Sequence, residues 1–272
     1  MAAVLLLTHL PTVLALVSAG SLRGVVSFEL DDVLWDSALV RAGCKTELQD
    51  FLKSRLSVST LSNYEPLDVY DEMDALRKQG AENGFMLPGI QTLQVEALRL
   101  AISGSGSPLT EEEQKATAAD ALVQWLRSHD AYAGLLLEEA VVPVLQELQA
   151  RGFRCCAITN SIGNSKRLSS LDPHMDFTLN TYDFTVGAEE AWDVAFQVAP
   201  AKFLGQGAPE GAWVHVCGKV EGSLALAAQR GLKTVALCDA KDVLSLATGG
   251  VNPTARVSSL SELPDLVDGM FS

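Results

Sequence analysis

Apolar and polar positions along this chain follow two different rhythms. Short, nearly continuous apolar runs occupy residues 24–30, 153–159, 213–217 and 233–238, each bounded by glycine or polar residues and each too short for a helix. Runs of that kind are expected of strands buried on both faces of a parallel sheet. "MDFTLN" (175–180) reads as a weaker strand, and "ARVSSLSELPDLV" as a strand edge followed by a short helix.

Between the first and second runs the rhythm is helical only. Helices are predicted over residues 37–56, 66–82, 90–102 and 110–128. The last opens on Thr110-Glu111-Glu112-Glu113, in which the Thr110 hydroxyl can accept from the Glu113 amide while Glu113 reaches back to Thr110. "SGSGSP" (103–108) is a flexible joint too short to separate domains. From residue 138 helix and strand alternate: "EEAVVPVLQELQARG" is an amphipathic helix stopped by Gly152, and residues 223–230 form an Ala/Leu-rich helix stopped by Gly231. This alternation predicts an α/β fold with helices on both faces of a parallel sheet and a ligand crevice at the strands' carboxyl ends. The helical block, inserted after the first strand, should sit over that crevice as a cap.

The expected organisation is therefore an apolar segment over residues 1–22, a core of residues 23–36 and 137–272, and a cap of residues 37–136. The N-terminal segment ends in Val17-Ser18-Ala19, small residues that a signal peptidase could accept, but it has no basic residue before Arg23 and is interrupted by His9 and Pro11. A targeting or processed segment and an extra apolar helix packed on the domain both fit, with the first favoured. Membrane contact is expected only through this segment.

Composition narrows the partners. The chain has 272 residues, 48% hydrophobic and 20% charged, enough to bury a sizeable core. Its net charge of −14 disfavours nucleic acid and anionic lipid. The five cysteines, Cys44, Cys155, Cys156, Cys217 and Cys238, are odd in number and lack metal-ligand spacing, so they read as reduced thiols and favour a reducing intracellular compartment, including an organelle reached through the N-terminal segment.

Chemistry concentrates where strands end. The first run gives way to Glu29, Asp31 and Asp32 in "FELDDVLWD"; the second ends at Thr159-Asn160 in "AITN"; "VGAEEAWDVAF" lies at 186–196; and "VHVCGKVEGSLALAAQRGLKTV" follows. In order, spacing and cap position these segments resemble the four motifs of the haloacid dehalogenase (HAD) superfamily of phosphohydrolases, and the resemblance covers nearly all of residues 24–272. It implies a three-layer, Rossmann-like core. In that family an aspartate nucleophile forms an acyl phosphate, an aspartate two residues on acts as acid/base, magnesium neutralises charge, and a hydroxyl and a lysine hold the phosphoryl group.

The resemblance implies these roles position by position. Glu29 stands at the nucleophile position, its extra methylene displacing the carboxylate by roughly 1.5 Å, a misplacement that can cost about a hundredfold in rate. Asp31 keeps the acid/base position, and Val33 replaces the usual Thr. Thr159 and Asn160 stand at the phosphate-binding position, where a helix N-cap is the equally weighted alternative. Glu190 stands where the family has lysine, with ordinary surface charge as its alternative reading. Lys202 is too far along the next helix to carry much weight. Lys219 replaces the magnesium-binding aspartate, and Ser223 the second acid.

The exchange of signs predicts that Lys219 lies within salt-bridge reach of Asp31 and Glu29, filling the volume of a magnesium ion. A HAD-like protein without catalysis is then expected, with a binding or structural role, as in an accessory subunit of a larger assembly; no cofactor is expected, and its protein partner is not legible. The alternatives are a divergent magnesium-dependent phosphatase using Glu29, with Asp31 and Glu29 as metal ligands, and a non-catalytic phosphate or nucleotide sensor.

Overall fold

A computed structural model of the protein describes residues 22–56, 69–83, 89–104, 108–184, 186, 188–204, 211–218, 223–238 and 252–272. The apolar segment up to residue 21, the middle of "SGSGSP" and Lys219 lie outside the described residues. The observed order is β1 (Gly24–Phe28), α1 (Ser37–Arg55), α2 (Val69–Glu82), α3 (Ile90–Gly104), α4 (Glu111–Leu135), α5 (Val141–Ala150), β2 (Phe153–Thr159) and β3 (Thr178–Asn180). It continues through α6 (Ala188–Leu204), β4 (Trp213–Cys217), α7 (Ser223–Gln229), β5 (Lys233–Leu237), β6 (Ala255–Val257) and α8 (Leu263–Met270).

All six strands pair in parallel in the order β3-β2-β1-β4-β5-β6. Every β1 residue is buried, as a central strand covered on both sides requires. Val26 and Phe28 join the cluster formed with α5 and the cap helices, while Val25 faces the cluster of Trp192, Phe196 and Phe203 on α6. The buried Ser27 is accommodated because its Oγ accepts from Trp213 Nε1 at 2.8 Å and pairs with His215 Nδ1 at 2.9 Å. Burial alone drives the His215 pKa down to about 3, so this imidazole is neutral throughout the physiological range.

Helix signals written in the sequence operate as expected. Thr110 Oγ1 accepts from the Glu113 amide at 3.3 Å, and the Thr110 amide donates to Glu113 Oε2 at 2.8 Å. Gly152 and Gly231 stop their helices with φ of 88° and 77°, where a side chain would be strained. α4 runs to Leu135, seven residues past the expected end at Ser128, because Ser128, His129 and Ala133 continue its buried face. β1 ends at Phe28, two residues short of expectation, because the chain turns at Leu30. Thr110→Ala is expected to lower stability by about 1 kcal/mol, read as a urea-midpoint shift at constant m-value. An unchanged midpoint would mean that the cap does not hold this helix.

The helical block leaves and re-enters the core through paired segments. The Glu138 amide donates to the Leu34 carbonyl at 3.1 Å, and Trp35 bridges both Asp31 and Leu137. Among the described residues no helix is long and apolar enough to cross a membrane.

Candidate active-site cleft

β2, β1 and β4 are adjacent, so the loops after Thr159, Phe28 and Cys217 meet at the carboxyl end of the sheet. There Glu29, Asp31, Asp32, Arg41, Asn160 and Trp192 line a cleft of about 350 Å³. The structure thus gathers three of the expected residues, Glu29, Asp31 and Asn160, and sets Asp32, Arg41 and Trp192 beside them. Arg41 lies one turn after Ser37, which also lines the cleft, on the helix that opens right after the acidic loop. That i, i+4 spacing was the available signal for Arg41. For Trp192 the signal was an aromatic residue within "VGAEEAWDVAF".

The acidic loop is built to hold its carboxylates in fixed places. The Glu29 amide donates to the Val216 carbonyl at 2.9 Å, continuing the β1–β4 ladder. Asp32 adopts φ 59°, a left-handed turn that Asp tolerates better than most residues. Its Oδ1 accepts from both the amide and the hydroxyl of Ser37, tying the turn to the start of α1. Asp31 Oδ1 accepts from Trp35 Nε1 at 2.8 Å.

Glu29 is the electrostatic anomaly. It is half-buried on the cleft wall, and burial first of all pushes its pKa up to about 8; Asp31 and Asp32 push the same way, opposed by Ser223 and the Gly218 amide. Ser223 is 1% exposed, and its hydroxyl is close enough to Glu29 to lower that pKa. Burial thus favours the protonated form of Glu29.

Thr159 is 1% exposed, and its Oγ1 accepts from the Ser161 amide at 3.0 Å, while Ser161 Oγ accepts from the Gly163 amide at 3.0 Å. The helix N-cap reading of Thr159-Asn160 is corrected by this geometry. The hydroxyl closes a turn, and the next single helical turn begins at Ser165 with Asn164 as its cap. Glu190 is exposed on the first turn of α6, and Trp192, two residues on, is the α6 residue that lines the cleft. Lys202, near the end of α6, lies 5.1 Å over the Phe177 ring.

Among the described residues no three acidic, histidine or cysteine side chains are placed to hold a metal ion, and Ser223 supplies a hydroxyl rather than a carboxylate. Gly218 closes the site from below: a Cβ there would stand 2.2 Å from the Asp32 carbonyl oxygen. Gly218→Ala is accordingly expected to cost about 3 kcal/mol, the upper end for forced overpacking, since the obstacle is backbone. Thermal unfolding checks it, and an unshifted Tm would show that the two loops are not in contact.

No family model matches the sequence, and no curated protein matches it. Solved structures do. A 2-haloacid dehalogenase from Pseudomonas syringae pv. Tomato DC3000 superposes with a TM-score of 0.66 at 22% identity, over 92% of this chain and 99% of that one. The chain has the haloacid dehalogenase-like fold. A protein described as a HAD-hydrolase, YfnB from Bacillus subtilis, solved with magnesium bound, matches with a TM-score of 0.54 at 15% identity, over 90% of this chain and 98% of that one. A predicted phosphoglycolate phosphatase from Haemophilus somnus 129pt matches with a TM-score of 0.51 at 16% identity, over 89% and 97%. The cleft lies at the carboxyl end of the sheet, with the start of α1 on its wall.

Proposed function

We propose that this HAD-like protein does not hydrolyse phosphate esters and serves a binding or structural role, as an accessory subunit in a reducing compartment. One observation carries the reading. Burial raises the pKa of the carboxyl at the nucleophile position to about 8, and a carboxyl held in its protonated form is a far weaker nucleophile toward phosphorus than a carboxylate. Ser223 in place of an acid supports it, and Lys219 is proposed to place its ammonium beside Asp31, doing the charge-balancing of a metal ion while Glu29 stays neutral. No metal cofactor and no nucleic acid partner enter this reading; the partner is a protein.

The test is magnesium-dependent hydrolysis of p-nitrophenyl phosphate by the unmodified protein and by the double variant Glu29→Asp, Lys219→Asp. Background rates from the first are expected. Robust turnover by it would overturn the proposal in favour of a divergent magnesium-dependent phosphatase, whereas turnover by the double variant alone would mark a silenced site on an intact scaffold. The open cleft, with Arg41 and Asn160 on its wall, favours a second reading in which a small phosphorylated ligand is held without turnover. Calorimetric titration with inorganic phosphate separates the two.

A further inference from the structure

α2 belongs to the helical block, and Asp74 and Lys78 on it are exposed, yet Arg77 is 4% exposed and reaches out of the block into the core. Its Nη2 donates to the carbonyls of Thr181 at 3.1 Å and Val186 at 3.0 Å, with a longer contact to that of Phe184 at 3.5 Å. The guanidinium lies 4.8 Å from the centre of the Tyr182 ring, and the Tyr182 hydroxyl donates back to Asp74 Oδ1 at 2.7 Å. Asp74 and Arg77 are three residues apart, hence neighbours on one helix face. Two side chains of α2 thus grip the loop between β3 and α6. Burial lowers the Arg77 pKa, with Tyr182 and Asp74 opposing, and burial first of all raises that of Tyr182. A guanidinium taken out of water against neutral carbonyls contributes little net stability. What it supplies is geometry.

We propose that Arg77 is a positioning residue for the cleft: it clamps the helical block onto the 181–186 loop and thereby sets α6, which carries Trp192 on the cleft wall. The block and α6 then move together, and widening the cleft on that side requires the Arg77–carbonyl bonds to break. The clamp is independent of whether the cleft catalyses anything, since none of its atoms lines it.

Hydrogen exchange of the full chain, followed by mass spectrometry, tests it. In Arg77→Ala, amides of α2, of the peptide carrying Thr181 to Val186 and of the first turns of α6 should exchange at least about tenfold faster, with β1 and β2 unchanged. Millimolar ethylguanidinium should restore protection, and Arg77→Lys should fall between. Acceleration confined to α2, acceleration spread evenly over the sheet, or failure of the rescue would each overturn the proposal. Should Arg77→Ala not be recovered folded, Tyr182→Phe, which removes only the bond to Asp74, is expected to speed exchange of the loop severalfold, and an unaltered loop would equally overturn it.

Discussion

Glu29→Gln should match the unmodified protein in stability at pH 5 and exceed it at pH 8. The Glu29 carboxyl holds its proton up to about pH 8 in the folded chain, against an ordinary value of 4.5. Below pH 4.5 both folded and unfolded chains carry the proton, so the group costs nothing. Between those values only the folded chain holds it, and stability falls as pH rises, until the loss is complete above pH 8. At about 1.4 kcal/mol per pH unit the full shift would correspond to about 5 kcal/mol. Partial access to the cleft lets water screen the charge, and about 2–3 kcal/mol is the expected loss. Gln keeps the shape and cannot titrate, so urea midpoints of the two proteins at pH 5, 6, 7 and 8 should diverge steadily. Parallel curves would mean that Glu29 is ionised throughout, and the case against a nucleophile at this position would fall with them.

Trp35→Ala should destabilise the protein by about 3–5 kcal/mol from lost packing alone. Trp35 is 1% exposed and packs edge-on to His129 of α4, with ring centroids 6.0 Å apart. A Cβ on Gly163 would stand 3.0 Å from the indole, so the ring also seats the loop after β2. Removal leaves Asp31 without its indole donor, adding about 1–3 kcal/mol. Trp35→Phe, which keeps most of the volume, should show mainly that second contribution. Chemical denaturation of both variants separates the two effects, and equal losses would show that the hydrogen bond, not the ring, holds these elements together.

Much of the architecture could be read without coordinates, because burial on both faces leaves a mark on every residue of a strand. "GVVSF", "FRCCAIT", "WVHVC" and "KTVAL" are mostly apolar for that reason. Thr110 and Glu113, Gly152 and Gly231 are legible because capping and left-handed turns are decided within a few residues. The candidate site was legible only in part. Glu29, Asp31 and Asn160 sit where strands end, so strand prediction also placed them at the sheet's carboxyl end. Glu190 was placed by counting along a motif, but counting does not say which face of α6 looks into a cleft, and the helix presents Trp192 instead.

The sequence by itself determined the strand and helix order, the inserted helical block, and the helix caps and stops, since each depends on local spacing and residue type. Only the tertiary structure decided the protonation of Glu29, the turn-closing role of Thr159, the grip of Trp35 on Asp31 and the reach of Arg77 across more than a hundred residues to the loop at Thr181. A pKa depends on how much water surrounds a carboxyl and a hydrogen bond on which carbonyl lies three ångströms away, and both are set by residues distant in the chain.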